Sequence, residues 1–312
     1  MKKTSFLALF SVLLLLCPCM ALKALELGLN AGAGNLAFDP EGKDPLGSNI
    51  KKFEGNIYYP GNISIKSGFN HMFGYSVGFD RDVILQNYLS GKITFDWDYI
   101  YVEAGPFAGI CENTEKPFSA GVLGGIRLAY PGAAFLSFNF LSTLDLIMNP
   151  INGNSLGSAK IDLGFWLPHV IPVFSVSLKN YNRNAEEHLE INDRLVRIGL
   201  TADIFTKNFP VSVCLGFNYD TMTRLYKGMS QDSIDTDIIT TATELEELYK
   251  TEVTEELRAM IGSIEIKWQI SKPLYIIAGY EMPFFAWAEK PKKRLANEPF
   301  FYKFNAGIVL NL

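Results

Sequence analysis

The sequence predicts an all-β fold, an antiparallel β-barrel of about 12 strands, with about 10 and about 14 as the limits. Three observations lead to this prediction. Apolar residues alternate with polar or small ones in repeated segments, short and long connections alternate along the chain, and the last alternating segment reaches the final residue. Successive side chains on a strand point to opposite faces, so a period of two indicates strands with one apolar and one polar face.

The two ends of the alternating region predict how the barrel closes. In residues 301–312, Phe304 and Ile308 share one face while Lys303 takes the other, and residues 25–34 alternate in the same way. A strand that ends the chain without a polar tail needs a partner along its whole length. We therefore expect the last strand to pair with the first, because closure removes the exposed edges of a sheet.

Ten internal segments repeat the pattern, each close to the roughly 9–11 residues that a tilted membrane strand needs. They are residues 91–97, 99–110, 119–130, 134–142, 159–167, 173–180, 195–204, 211–220, 262–270 and 274–282. The connections between them are sorted, with short turns near 98, 131, 168, 207 and 272 and longer polar loops at the opposite ends of the strands. Short turns at one end and long loops at the other are typical of a transmembrane barrel.

Two regions do not fit the simple repeat of strands and turns. Residues 35–91 hold either two further strands, which would give about 14, or a segment that folds inward as a constriction. Residues 238–260 place Leu245, Leu248 and Leu257 at helical spacing and predict a helix in a long outer loop. Such a helix would pack over the barrel mouth, or it would gate the barrel or bind a partner.

The N-terminus has the pattern of a secretory signal peptide over residues 1–24. Lys2 and Lys3 precede an apolar run, and Ala21 and Ala24 offer small-residue cleavage positions. The apolar run is shorter than the roughly 20 residues of a spanning helix. We therefore predict an exported protein with a single domain, a barrel over residues 25–312.

Composition excludes several classes of function. The net charge of -5 makes nucleic acid an improbable partner. Cys111 and Cys214 remain after cleavage, too few for a disulfide framework. No later run approaches 18 apolar residues, so a membrane location requires a closed barrel, which alone satisfies the backbone of strands in lipid.

These features together resemble bacterial outer-membrane β-barrel proteins, porin-like in organisation. The resemblance covers nearly all of residues 25–312 and is one of architecture. It implies an antiparallel transmembrane β-barrel in the outer membrane, with short periplasmic turns, and contacts with outer-membrane lipid and, through the C-terminal strand, with the barrel-insertion machinery. The chain ends in Leu312 where that family ends in Phe, a departure that lineages with relaxed terminal residues, such as spirochaetes, would tolerate.

The polar faces of the predicted strands supply the candidate site, a set of charged residues lining the lumen. The set is Lys92, Glu103, Arg127, Lys160, Asp162, Lys179, Arg197, Asp203, Glu265, Lys267, Glu281 and Lys303. An interior of mixed sign is typical of a water-filled or partly plugged barrel, whereas a selective pore favours a ring of one sign. The alternative is that these charges pair across strands and fill a narrow barrel.

The sequence favours a passive or weakly selective channel for small solutes. The alternative is a surface-exposed structural or adhesive barrel that binds partners through its long loops. We expect no enzymatic activity, cofactor or metal. His71, His169 and His188 have no metal-ligand spacing, and no serine motif accompanies His71 in the way that barrel hydrolases would require.

Overall fold

Sixteen strands are present in the computed structural model, which describes residues 25–35, 57–68, 72–81, 87–110, 118–144, 155–186, 189–206, 209–228, 252–290, 293–294 and 303–312. They are β1 (Leu25–Asn35), β2 (Ile57–Tyr58), β3 (Gly61–Gly68), β4 (Phe73–Arg81), β5 (Asn87–Trp97), β6 (Ile100–Ile110), β7 (Phe118–Tyr130), β8 (Ala134–Thr143), β9 (Ser155–Phe165), β10 (Val170–Glu186), β11 (Leu189–Ile204), β12 (Val211–Gly228), β13 (Glu252–Ser271), β14 (Leu274–Lys290), β15 (Lys293–Arg294) and β16 (Lys303–Asn311).

Fourteen of these strands form a closed antiparallel barrel. The hydrogen-bonded order runs from β13 back through β12 to β3, then to β1, β16 and β14, and pairing of β13 with β14 completes the ring. The two-residue strands β2 and β15 pair at the edges of β1 and β14. The predicted closed antiparallel β-barrel is confirmed.

The first and last strands close the barrel as the sequence predicts. Their register runs from Glu26 opposite Asn311 to Gly34 opposite Lys303. The backbone N–H of Leu312 donates to the carbonyl of Leu25 at 2.8 Å, and the N–H of Leu25 donates in return at 3.1 Å. The chain therefore remains paired to its final residue.

The strand count is 14 rather than about 12, because residues 35–91 contribute β3 and β4. β3 pairs with β1 on one side and β4 on the other, so both strands belong to the barrel wall. The second of the two possibilities for this region, an inward constriction, is wrong for the residues described.

The predicted helix over residues 238–260 is wrong where it can be compared. Residues 252–260 form the start of β13, and the remainder of the prediction lies outside the described residues. Leu257 and Ala259 are fully buried on the inner face of β13, opposite Met222 and Asp220 of β12. The spacing that suggested a helix is also compatible with a strand, and pairing with β12 decides between them.

Short turns join neighbouring strands at one end of the barrel. They lie at residues 98–99, 131–133, 166–169 and 272–273, and only six residues separate β11 from β12 at the same end. In the turn after β7, the N–H of Ala133 donates to the carbonyl of Tyr130 at 3.0 Å, and Gly132 adopts a φ of 78°. Proline followed by a glycine with positive φ is the pattern of a type II turn, which explains the reversal at Pro131–Gly132.

Five consecutive strands are longer than a membrane crossing requires. β10 to β14 have 16 to 20 residues each, whereas β1, β3 to β9 and β16 have 8 to 13. The expectation that residues 182–193 form an outer loop is therefore wrong, because β10 and β11 continue through most of that segment. One side of the barrel extends past the apolar belt at the end opposite the short turns.

An apolar belt surrounds the barrel on its outside. Every barrel strand exposes at least one large hydrophobic side chain there, among them Leu29, Ile63, Phe73, Ile93, Ile110, Ile126, Phe138, Ile161, Phe174, Leu200, Phe217, Ile266, Ile276 and Ile308. A continuous apolar surface of this size marks contact with lipid or a partner. Within the described residues, no helix is long and apolar enough to cross a membrane.

Aromatic residues near the short turns lie on both faces of the barrel. Trp97, Tyr99, Tyr130 and Trp268 are all exposed. Tyr275 lies instead on the inner face, with the Lys267 ammonium 4.7 Å from its ring centroid. Strand alternation decides this orientation, because Leu274 and Ile276 occupy the outer face on either side.

Candidate functional site

One side-chain contact identifies the inner face of the barrel. Arg197 on β11 donates to Glu281 on β14 across 3.5 Å, although β12 and β13 lie between those strands in the wall. Side chains on the outside of a convex wall diverge, so a contact that skips two strands crosses the interior. The face that carries Arg197 is therefore the inner one, and paired residues on neighbouring strands share it.

The strand register places all twelve sequence-predicted charged residues on this inner face. The structure does not bring them together as one ring. They lie in separate groups distributed around the wall, and one of them, Arg197, is paired with Asp220, which the sequence analysis did not select.

The charged residues of the inner face include some that sequence reasoning missed. Asp220 lies in a predicted strand but was not selected, and Arg183, Asp193 and Arg224 were assigned to loops. The signal that would have found them is continued alternation, since Tyr181 and Arg183, or Met222 and Arg224, keep the period of two beyond the membrane length. Among residues whose side chains are described, the inner-face cations (Lys66, Lys92, Arg127, Lys160, Lys179, Arg183, Arg197, Arg224, Lys267 and Lys303) equal in number the carboxylates (Glu26, Asp80, Asp96, Glu103, Asp162, Asp193, Asp203, Asp220, Glu265 and Glu281).

The inner face of β10 to β12 carries two buried ion-pair groups, which we term the ion-pair wall. In the first group, Arg224 donates from Nε and Nη2 to the two oxygens of Asp193, at 2.5 and 2.9 Å. Arg183 lies 3.8 Å from the same carboxylate. In the second, Arg197 donates from Nε and Nη2 to both oxygens of Asp220 at 2.8 Å, and the Asp220 side chain is 0% exposed.

The first group lies beyond the apolar belt, in the extended part of β10 to β12. Burial lowers the pKa of Arg183, partly offset by the charge of Asp193. Burial also acts to lower the pKa of Arg224, but the charge of Asp193 and the hydrogen bonds to it hold that pKa above its usual range. Two guanidinium groups around one carboxylate therefore stay charged in a nearly dry environment, which is stable only while the bidentate geometry is kept.

Smaller polar groups occupy the inner face of β5 to β10. Lys92 pairs with Glu103 at 2.8 Å, and the Tyr101 hydroxyl donates to the other carboxylate oxygen at 2.9 Å. Asp162 pairs with Lys160 at 3.0 Å and accepts from the hydroxyls of Ser137 and Ser175. These contacts hold four of the predicted lumen residues against the wall.

Two predicted lumen cations lie on aromatic rings and remain exposed. The Arg127 guanidinium is 5.2 Å from the ring centroid of Tyr101, and Lys267 lies over Tyr275. Such contacts orient a cation without neutralising its charge. Arg127 and Lys267 therefore present exposed charge on the inner face of the barrel.

Apolar contacts across the interior show that the barrel is not round. A circular barrel of 14 strands would measure about 28 Å between opposite backbones and about 22 Å between strands four positions apart. Tyr88 of β5 nevertheless packs against Leu156 of β9 and Tyr181 of β10, four and five positions away. Two side chains cannot bridge the circular distance, so the cross-section is flattened where these residues meet.

A polar cavity of about 340 Å³ lies beside this contact. Its lining includes Asn30, Asn62, Asp80 and Asn305 from one side of the barrel and Lys179 of β10 from nearly the opposite side. β10 is six positions from β1 by one route around the ring and eight by the other. The flattening therefore brings two distant parts of the wall to one site.

No catalytic or metal centre is evident in the part of the chain that the structure describes. Those residues contain no group of three or more His, Cys, Asp or Glu side chains able to hold a metal ion. His169 is exposed in the turn between β9 and β10, and Cys214 is a free thiol on the inner face of β12. His71, His188 and Cys111 lie outside the described residues.

Comparisons with known proteins give similarity of fold at very low sequence identity. No family model matches the chain, and no curated protein matches it. Among solved structures, an outer-membrane channel from Pseudomonas putida F1 matches with a TM-score of 0.49 and 6% identity, over 94% of this chain and 97% of that one. A loop-deletion mutant of the outer-membrane protein OmpT of Vibrio cholerae gives 0.43 and 6%, over 94% and 99%. The channel DcaP of Acinetobacter baumannii gives 0.41 and 8%, over 93% and 97%.

Proposed function

We propose that this protein is an outer-membrane channel that passes small polar solutes by diffusion, with weak charge selectivity. The observation that supports the proposal is the contrast between the two faces of the closed barrel. The outer face has an apolar belt, and the inner face has equal numbers of described cations and carboxylates. An inner face of both signs favours water and small polar solutes, whereas a ring of one sign would select ions.

Two further features support the proposal. The predicted signal peptide over residues 1–24 would deliver the chain across the inner membrane, and the paired C-terminal strand is the element that barrel-insertion machinery would engage. The flattened cross-section narrows the passage, and the cavity beside Lys179 lies at this narrowing. We therefore expect a conductance below that of a circular 14-stranded barrel.

The test is single-channel recording of refolded full-length protein in planar bilayers. The wild type should conduct, and its reversal potential in a salt gradient should stay near zero. Replacing both Arg127 and Lys267 with Glu should make the channel severalfold more permeable to cations, because both charges are exposed on the inner face. The control is Lys227→Glu, an exposed position on the outer face of β12.

Two results would contradict the proposal. A wild type that inserts and never conducts would overturn the channel, and equal selectivity in the double variant and the control would overturn the placement of the lumen charges. Heat-modifiable mobility on gels would establish that each variant is folded before recording.

A second candidate is a surface scaffold whose outer loops bind partners. The observation that favours it is the extension of β10 to β14 past the apolar belt, which raises one side of the barrel above the membrane. Inserted, folded and non-conducting protein would make this the better account.

A further inference from the structure

One row of hydrogen-bonding side chains crosses five neighbouring strands on the inner face. Tyr88 on β5 is opposite Asp80 on β4, Asp80 is opposite Asn62 on β3, and Asn62 is opposite Asn30 on β1. On β16 the row continues at Asn305, which is opposite Gly32, the next inner-face residue of β1 after Asn30. We term these five residues the amide row, and all five line the 340 Å³ cavity.

The amide row has room in front of it because its neighbours are small. Gly32 on the inner face of β1 also lines the cavity and has no side chain to fill it. The amide of Asn305 lies across Gly279, where any added Cβ would collide with Oδ1 of Asn305. Glycine at these positions keeps the amide groups against the wall and leaves the space beside them open.

One amide in the row has unused bonding capacity. Oδ1 of Asn30 is buried and accepts no hydrogen bond from the described residues. A buried acceptor without a donor is unfavourable, and an amide can rotate to present either its oxygen or its nitrogen. A hydroxyl group of a ligand would supply the missing donor once the Asn30 amide turns its oxygen towards the cavity.

The chemistry of the cavity matches a ligand rich in hydroxyl groups. A hydroxyl both donates and accepts, and the three amides offer both functions, while Asp80 accepts and Lys179 donates. The Tyr88 ring, which stacks edge-on against Phe107 at 5.8 Å between centroids, supplies an apolar surface for the C–H groups of such a ligand. The volume lies at the lower end of the range for small-molecule sites, about 300–1,000 Å³.

The charges of the cavity argue against a charged ligand. Lys179 and Lys303 on the inner face would repel a cation, while Asp80 in the middle of the row would oppose an anion. Lys303 is also engaged by Glu281 at 3.4 Å, which reduces its attraction for a free anion. A neutral ligand incurs neither penalty.

We infer that the amide row binds a neutral polyhydroxylated solute, such as a sugar, at the narrowing of the barrel. The inference rests on the proposed channel function only in that the solute would reach the cavity through the barrel. It adds to the proposed diffusion channel a binding site for one class of solute, which a channel for general diffusion would not need.

Binding is tested on purified full-length protein in detergent, by saturation-transfer NMR titration. The probes are glucose, its carboxylate analogue gluconate and its amino analogue glucosamine, which differ in charge and share the hydroxyl pattern. Glucose should bind saturably and at least about tenfold more tightly than either charged analogue. Asn30→Ala and Asn62→Ala should each weaken glucose binding about tenfold, the effect of one well-placed hydrogen bond. The matched control is Asn139→Ala, an inner-face amide on β8 outside the cavity.

Several results would overturn the inference. They are the absence of saturable glucose binding, an equal loss in Asn139→Ala, and tighter binding of gluconate, which would make the cavity an anion site formed by its cations. Because binding is measured without a membrane, its outcome is separate from conductance. If the protein conducts and binds no glucose, the channel proposal stands and the sugar site is wrong. If it binds glucose and does not conduct, the sugar site stands and the channel proposal is wrong.

Discussion

Two parts of the inner wall contain polar residues of different kinds. The ion-pair wall on β10 to β12 consists of guanidinium–carboxylate pairs that water barely reaches, with Asp220 0% exposed and the Arg224 side chain 5%. The wall of β16, β1, β3, β4 and β5 carries amides, and its ion pair between Lys66 and Glu26 is open to solvent, with side chains 56% and 41% exposed. A polar barrel interior is therefore not uniformly wet.

The two walls constrain the strands to different degrees. Buried pairs hold β10, β11 and β12 in one geometry, because loss of either partner leaves a charge without compensation. Amides and solvated pairs impose little of this constraint and leave room for water or solute. The ion-pair wall therefore fixes three neighbouring strands, whereas the amide-row wall borders the cavity.

The largest expected effect comes from breaking the ion-pair wall at Arg224. Arg224→Ala leaves the Asp193 carboxylate, 13% exposed, without its bidentate partner, and should lower the free energy of unfolding by about 3–5 kcal/mol. Urea unfolding in detergent, followed by tryptophan fluorescence, measures the change. Arg194→Ala, an exposed outer-face change on the same strand as Asp193, is the control and should change stability by less than about 0.5 kcal/mol.

A loss below about 1 kcal/mol in Arg224→Ala would contradict a dry ion-pair wall. Replacing Arg183, Arg224 and Asp193 together by leucine sharpens the comparison. That triple variant should recover much of the lost stability, because it removes the buried carboxylate along with both guanidinium groups that surround it.

The next largest effect is expected on the outer face of the barrel, which lies behind both walls. Leu200 is 55% exposed on the apolar belt of β11, and Thr201 follows it on the inner face. Leu200→Arg should cost about 2–4 kcal/mol if it lies near the bilayer midplane, whereas Thr201→Arg should cost much less. Unfolding titrations in lipid vesicles measure both. Equal costs would indicate a two-sided core in place of a lipid-facing belt.

The smallest effect is expected in the amide-row wall. Glu26→Gln breaks the exposed pair with Lys66 and should change stability by at most about 1 kcal/mol, less at high salt. The same urea titration at low and high salt measures it. A loss as large as that of Arg224→Ala would mean that the two walls do not differ.

Sequence reasoning recovered what alternation controls. The strand faces, the closure of β1 on β16 and the turn at Pro131 and Gly132 all follow from a period of two and from turn residues. Alternation also placed Lys92, Glu103 and Arg127 on one face without reference to any partner.

Two kinds of feature were beyond the sequence. Strand length is set by pairing with neighbours, so β13 continues through a segment with helical spacing around Leu257, and β10 continues beyond the predicted loop boundary. Contacts across the interior depend on the shape of the closed ring. No local pattern pairs Arg197 with Glu281, or brings Lys179 to the cavity of Asn30, until the barrel is flattened.

The most direct test of this account is water access beside the amide row. In a background with Cys111 and Cys214 replaced by serine, Asn62→Cys and Ile63→Cys place a thiol on the inner and outer face of β3. In proteoliposomes, a water-soluble, membrane-impermeant maleimide should label Asn62→Cys at least about tenfold faster than Ile63→Cys, because thiolates form in water and not in lipid. Equal rates, or an unreactive Asn62→Cys, would show that the interior beside the amide row is packed, and would contradict the account.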